Sequence, residues 1–355
     1  MNLEKILLNK EELSREEIIF LLSLNDEEDI KELFKRADEI RAQYCGDEIH
    51  LRGIIDFSNH CIQNCIYCGL REDNFNLPRY RMTPEEIIET AKQITNHGIY
   101  TIVLQSGEDP YFDTDLMAYI IYSIKQKSNA AITLSLGERG FDEYRTWKIA
   151  GADRYLLKHE TANPKSYSSY HLKQKLSDRI SHLKFLKTIG YQIGSGNLIG
   201  LPMQTVEDIA DDILLCKELD VDIASFSPFI PSLDTPYRNK KSSDLILALK
   251  TIAVARIVLK KVNLPSTTAL GILEDNARIK GLTVGGNVIM PDFTPSPYRE
   301  NYLVYSNRKF ASGNSDNYKT NLENQIALIG RTISSSRSNS QKNIPNQDQL
   351  FTISN

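Results

Sequence analysis

From residue 50 onward the chain alternates short β-rich runs with amphipathic helical stretches, and this alternation narrows its possible folds more than any other property. The β-rich runs fall at residues 51–57, 101–105, 132–136, 154–158, 192–199, 222–227, 265–270 and 287–290. Helical patterns separate them; one opens at Thr83-Pro84-Glu85-Glu86-Ile87, with Thr83 as cap and Pro84 at the first helical position, and runs to His97-Gly98. Strands joined by helices of that length run parallel, and eight such units predict an α/β chain closed into a (β/α)8 barrel of the TIM type. A six-unit partial barrel with two further strands reads similarly, and in both the chemistry belongs to the loops after the strands.

The flanks read differently. Residues 1–48 form an N-terminal helical segment: Ser14-Arg15-Glu16-Glu17 has the form of a cap followed by acids, Ile18, Ile19, Leu21 and Leu22 follow at helical spacing, and Leu33, Ala37 and Ile40 mark a second helix. The barrel then takes residues 49–305. From 306 to 355 the composition turns to Ser, Asn, Lys and Gln, as in Ser334-Ser335-Ser336-Arg337-Ser338-Asn339-Ser340-Gln341. Such a low-complexity segment does not offset its ordering entropy, so a mostly flexible tail is expected, with at most a short helix at 326–329.

Directly after the first β-rich run comes His60-Cys61-Ile62-Gln63-Asn64-Cys65-Ile66-Tyr67-Cys68-Gly69. A closed zinc site takes four protein ligands and a closed iron-sulfur cluster four cysteines, whereas three leave one metal position open to a substrate or cofactor. A fortuitous grouping, or a zinc site completed by His60, is the alternative. The remaining cysteines, Cys45 and Cys216, are isolated, so no disulfide framework is expected and a reducing, cytoplasmic location fits. A net charge of −4, from 42 Lys and Arg against 46 Asp and Glu, offers no footprint for nucleic acid. No window approaches 18 apolar residues, and residues 1–10 carry charges where a signal peptide needs an apolar run, so no membrane association is expected.

Cys-x3-Cys-x2-Cys with an aromatic residue, Tyr67, before the last cysteine resembles the signature of radical S-adenosylmethionine (SAM) enzymes. The resemblance implies that Cys61, Cys65 and Cys68 hold a 4Fe-4S cluster whose fourth iron is chelated by SAM, and that electron transfer from the reduced cluster cleaves SAM to a 5′-deoxyadenosyl radical. The next strand ends carry the other expected SAM contacts: Gln105-Ser106-Gly107-Glu108 for the amino group, Ser135 in Ser135-Leu136-Gly137-Glu138, Glu160 for the ammonium or ribose, Arg179 for the carboxylate, and Leu201 at the end of the segment passing the adenine. Read alone, Gly107-Glu108 is ordinary turn chemistry, Glu160 a partner for a surface lysine and Arg179 a solvated helix residue. His97, His171 and His182 fall on helical stretches and read as surface or satisfied histidines; His60 and His159 stay open.

Segments 76–84, 154–164 and 287–299 extend the likeness to the HydE-type maturases of FeFe-hydrogenases over residues 3 to 305; the related methylornithine synthase and biotin synthase, which share the fold and the cluster loop, are the alternatives. That family implies assembly of the hydrogenase's two-iron subcluster from a small-molecule or organometallic, cysteine-derived substrate, together with other maturases and an electron donor. Lys158, Thr267 and Thr268 become the expected substrate contacts, with Tyr302 and Tyr305 closing the cavity. Lys158 stands where the family has an arginine, so a point charge replaces a bidentate fork there. The two threonines also read simply as β-branched strand residues. No cysteine follows Cys216, so a second cluster in the tail is not expected. A non-enzymatic alternative is an electron carrier or redox sensor that only holds the cluster.

Overall fold

The computed structural model describes residues 2–8, 12–306, 316–339 and 342. Three helices, α1 (Leu3–Leu8), α2 (Arg15–Leu22) and α3 (Glu27–Cys45), lead into β1 (Glu48–Leu51) and β2 (Gly53–Ser58). Alternation follows with α4 (Pro84–Asn96), β3 (Thr101–Ser106), α5 (Thr114–Lys127), β4 (Ala131–Ser135), α6 (Phe141–Ala150), β5 (Arg154–Leu156), α7 (Pro164–Tyr170), α8 (Leu176–Thr188) and β6 (Gln192–Ser195). The rest runs β7 (Leu198–Ile199), α9 (Val206–Glu218), β8 (Ile223–Ala224), β9 (Ser227–Pro228), α10 (Leu245–Leu259), α11 (Leu270–Leu273), α12 (Ala277–Thr283), β10 (Val288–Ile289), α13 (Ser296–Arg299), α14 (Asp316–Leu328) and β11 (Thr332–Ile333). The caps read from the sequence form: Ser14 and Thr83 accept from Glu17 and Glu86 N–H, and each glutamate returns to its cap's N–H.

Strands β2-β3-β4-β5-β6-β8 make one parallel sheet. It extends through the parallel bridges Ile223↔Asn263 and Pro265↔Val288, and β10 pairs with β1 at His50↔Val288 and Leu51↔Ile289. β1 and β2 are one stave interrupted at Arg52, whose N–H still donates to Ile289 O at 3.0 Å. The ring therefore closes as a barrel of eight staves, as the alternation predicts. Helix α10 is apolar nearly all round because it is covered twice, by the barrel inside and by α2 and α3 outside. The N-terminal helices are thus part of the barrel's outer layer. Among the described residues no helix is long and apolar enough to cross a membrane.

Two expectations change. Residues 192–199 are two short strands rather than one, broken at Gly196, where φ is 145° and a Cβ would lie 2.0 Å from Ser225 O. The seventh stave ends at Pro265; Thr267 and Thr268 lie beyond it, their carbonyls accepting from Leu270 and Gly271 N–H in the turn that enters α11. The β preference of a threonine pair yields to that turn.

Part of the tail carries regular structure. Residues 316–339 hold α14 and β11, and β11 pairs in parallel with β1 at Glu48↔Thr332 and Ile49↔Ile333. Leu322 and Ile326 are buried against the core. Composition hides these few apolar residues at helical spacing, and buried arginines of the barrel supply the rest of the anchorage. Arg154 Nη2 donates to Arg337 O at 2.6 Å and Arg52 Nη2 to Ser338 O at 3.1 Å, so this segment crosses the barrel's N-terminal mouth. Residues 307–315, 340, 341 and 343–355, also part of the expected flexible tail, lie outside the described residues.

Candidate active site

With one mouth crossed by the tail, the opposite end of the barrel carries a cavity of about 380 Å3. Cys61, Cys65, Cys68 and Tyr67 line it, with Gln105, Ser106, Gly107, Ser135, Lys158, Glu160, Arg179, Thr267, Thr268, Tyr302 and Tyr305. Residues spread over more than 240 positions of sequence thus meet in one space because each follows a stave. A depression of about 720 Å3 near the opposite end, lined by Lys187, Lys260, Lys261 and Lys342 among others, holds none of the cysteines.

The cysteine loop is pinned from several sides: Ile62 N donates to Glu108 O at 3.0 Å, Ile66 N to Tyr170 O at 3.1 Å and Gly69 N to Val304 O at 3.0 Å. Gly107 permits the close approach of the second stave's end, since a Cβ there would lie 2.3 Å from His60 O and 2.7 Å from Cys61 Cβ. All three thiols are free. Burial pushes the Cys68 thiol up to about 12 and raises Cys61 and Cys65 as well, so metal binding has to displace their protons. Among the described residues no three His, Cys, Asp or Glu side chains are grouped to hold a metal ion; cysteines that each take a different iron of a cluster need not meet at one point. His60 is half-buried. Cys45 and Cys216 are buried elsewhere, Cys45 Sγ accepting from Arg256 Nη1 at 3.0 Å. The donor set is therefore three thiols facing one cavity, which fits a cluster with one iron left open.

The polar wall fits an amino-acid ligand beside it. Arg179, on α8, is buried, with Nε donating to Glu138 Oε1 at 2.5 Å, Nη1 to Lys158 O at 2.9 Å and Nη2 to Gln174 Oε1 at 2.9 Å. Burial opposes its charge, but Tyr167, Glu138 and Glu108 outweigh this and its pKa is raised. It is therefore not a solvated helix residue. Glu160 has φ of 63°, a left-handed conformation that costs a non-glycine residue free energy. Its Oε2 is buried without a hydrogen bond although Lys158 Nζ stands 3.1 Å away, and Thr267 Oγ1 is likewise buried and unbonded. Buried polar atoms with hydrogen-bonding capacity left over at a cavity wall are what a polar ligand satisfies.

Two expected contacts stand off the cavity lining. Glu108 lies behind Gly107, with Oε2 accepting from Gln63 at 2.6 Å and Oε1 from Gln174 Nε2 and Glu138 N, both at 2.9 Å. Burial raises its pKa, with Arg179 acting against this. Its side chain braces the loop and the arginine's neighbours instead of reaching into the cavity, because Gly137 leaves it that path; a Cβ there would fall 2.0 Å from Glu108 Cγ. Leu201 packs with Tyr170 and Phe229 in a small apolar group that also touches Tyr67.

Sequence reasoning missed the groups that hold the lining in place. Glu138 was visible only as the residue after Gly137. His171 is a satisfied histidine, as one of the two readings had it, but its place beside the lining was not foreseen: it is buried with its Nε2 2.9 Å from Tyr67 Oη and its Nδ1 3.3 Å from Tyr167 O. Burial lowers its pKa to about 3, so the ring is neutral; Nδ1 donates and Nε2 accepts the Tyr67 hydroxyl. His159 is buried between Ser195 Oγ, 2.9 Å from Nδ1, and Asp212 Oδ1, 3.4 Å from Nε2, outside the cavity. His97 and His182 bond to Gln93 O and Tyr144 Oη and take no part in the lining.

The comparisons with known proteins agree with this geometry. Residues 55–216 match the radical SAM superfamily model. The chain is 51% identical over 298 residues to the FeFe-hydrogenase maturase subunit HydE of Thermotoga maritima, covering 84% of this chain and 85% of that protein. It is 28% identical over 280 residues to the 3-methylornithine synthase of Methanosarcina acetivorans, covering 78% and 79% of the two. Among solved structures, methylornithine synthase superposes with a TM-score of 0.81 at 23% identity over 95% of this chain and 98% of that one. The maturase HydG gives 0.79 at 22% over 94% and 75%; at such identities the likeness shows the fold alone. Three free cysteines at the mouth of an eight-stave barrel, and half the residues shared with a maturase along most of both chains, establish that this chain belongs to the radical SAM superfamily, in the family of HydE FeFe-hydrogenase maturases.

Proposed function

We propose that this enzyme holds its 4Fe-4S cluster by Cys61, Cys65 and Cys68, binds SAM between that loop and the Glu160–Arg179 wall, and acts on a small cysteine-derived or iron-bound substrate deeper in the barrel during assembly of the hydrogenase's two-iron subcluster. The observation that carries this reading is the convergence of three free thiols and buried, partly unsatisfied polar groups on one cavity. Cluster and SAM together supply a 5′-deoxyadenosyl radical when the cluster is reduced. Everything else falls to the chain. The Arg179 fork receives the SAM carboxylate, Glu160 the ammonium or ribose, and Gln105, Ser106, Gly107 and Ser135 line the same end. Tyr67, its hydroxyl held by His171, presents a ring beside the cysteines, and Leu201 supports it from behind.

Lys158, Thr267 and Thr268 anchor the substrate carboxylate. Lys158 Nζ stands 3.1 Å from Glu160 Oε2, so one ammonium serves both ligands' neighbourhoods. Tyr302, buried, and Tyr305 close the side next to Val304, which is tied to Gly69, and so limit water at the reacting centre. An external electron donor and other maturases are the partners, in the reducing cytoplasm. The test is complementation: expressed in a host lacking only its own HydE, this chain restores hydrogenase activity. Failure with the cluster loaded and the other maturases competent, joined to conversion of lysine to methylornithine in vitro, overturns the assignment.

A further inference from the structure

Behind the cysteine loop stands a guanidinium that no carboxylate answers. Arg79 Nη1 donates to the main-chain carbonyls of Asn59 at 2.5 Å and Leu70 at 2.9 Å, and Nη2 donates to those of Arg71 at 2.6 Å and Asn74 at 3.1 Å. These carbonyls bracket the three cysteines, since Asn59 precedes Cys61 and the other three follow Cys68. One planar group therefore ties the loop's entry to its exit. Two residues on, Arg81 behaves in the usual way, gripping Asp109 with Nε at 2.7 Å and Nη2 at 3.0 Å. Among the described residues no Asp or Glu forms an ion pair with Arg79; burial disfavours its charge, and Cys61 and Cys68 are the neighbours that favour it.

Taking a guanidinium partly out of water with carbonyl dipoles alone for company leaves its net charge uncompensated. That arrangement suits a place where negative charge arrives later, and cysteines that ligate iron arrive as thiolates. The planar fork also explains the residue type. A lysine ammonium is a point charge with three donors and does not span carbonyls on both sides of a loop in one plane.

We infer that Arg79 is the positioning residue of the cysteine loop: its four carbonyl bonds hold the loop in ligating shape, and its unpaired charge raises the reduction potential of the cluster held there. This rests on the three-cysteine cluster proposed above.

Two measurements on the full-length wild type, R79K and R79Q separate the clamp from the charge. In the metal-free proteins, amide hydrogen exchange across residues 61–74 is expected to be about tenfold faster in R79Q and faster by a smaller factor in R79K, as local opening becomes easier. Equal exchange in all three overturns the clamp. This arm needs no cluster, so it decides the clamp independently; a wild type that binds no iron removes the cluster reading and the charge role with it. In the reconstituted proteins, a redox titration followed by electron paramagnetic resonance is expected to find the R79Q cluster about tenfold less reduced at a given potential, a fall of about 59 mV for one electron, with R79K close to wild type. Equal potentials in R79Q and wild type, or a shift in R79K as large as in R79Q, overturn the charge role. Should R79Q not fold, R79K still decides: faster loop exchange at an unchanged potential is the expected pair, and unchanged exchange or a shifted potential contradicts it.

Discussion

Arg179 and Glu138 form an ion pair, Nε to Oε1 at 2.5 Å, with side chains only 8% and 14% exposed, joining helix α8 to the loop after β4 at the edge of the cavity. Lys158 O and Gln174 Oε1 hold the other two guanidinium nitrogens. A fork steadied from three sides is preorganised for a ligand carboxylate. Charge-assisted hydrogen bonds of this kind are worth about 1.5 to 3 kcal/mol, so Arg179→Ala is expected to weaken SAM binding roughly ten- to a hundredfold in anaerobic equilibrium titration. Unchanged affinity takes Arg179 out of the binding site.

The strained backbone at Glu160 gives a second outcome. Glycine adopts the left-handed region without the Cβ penalty, which is roughly 1 to 2 kcal/mol and outweighs glycine's added chain entropy of roughly 0.5 to 1 kcal/mol. Glu160→Gly is therefore expected to melt at the wild-type temperature or slightly above while losing SAM affinity. A clearly lower melting temperature would place Glu160 in the structure's support and not in ligand binding.

Buried histidines set an acid limit. The folded pKa of His171 is lowered to about 3 and that of His50 to about 4, both chiefly by burial, from an ordinary value of 6.5. Between those values the unfolded chain binds more protons than the folded one, so stability is fully present above about pH 6.5 and falls as the pH drops toward 4, by about 1.4 kcal/mol per unit for each histidine. Both ring nitrogens of His50 lack hydrogen bonds, so His50→Leu is expected to be neutral or stabilising at pH 7 and to flatten this slope. Urea unfolding of the metal-free protein at several pH values measures it; identical slopes in wild type and variant contradict the assignment.

The ordered part of the tail yields a fourth. Ending the chain after Ser306 removes β11 and the carbonyls that Arg52 and Arg154 use at the barrel's N-terminal mouth. A buried charge left without its partner typically costs about 3 to 5 kcal/mol, so the truncated protein is expected to melt well below the full chain. Equal melting temperatures would mean that the segment merely rests on the barrel.

The barrel and the cysteine loop were legible because both are written locally: strand and helix periods repeat down the chain, and Cys61, Cys65 and Cys68 fall within eight residues. The supports were not, because they act at long range or through the main chain. Glu138 meets Arg179 across 41 positions, and His171 meets Tyr67 across 104. Arg79 bonds only to carbonyls, which every residue carries and no motif announces. The structured part of the tail was hidden for a related reason, since it brings few apolar side chains, Leu322 and Ile326, and its other anchors are arginines of the barrel that bond to its main chain.

The central claim is that three cysteines carry a cluster that cleaves SAM. Wild type and the five single Cys→Ala variants are reconstituted anaerobically, reduced with dithionite and given SAM, and the products are quantified. Wild type, C45A and C216A are expected to bind about four irons and form methionine and 5′-deoxyadenosine in equal amounts, whereas C61A, C65A and C68A form neither. Intact SAM over a fully reduced wild-type cluster, or loss of iron in C45A or C216A, would contradict the account.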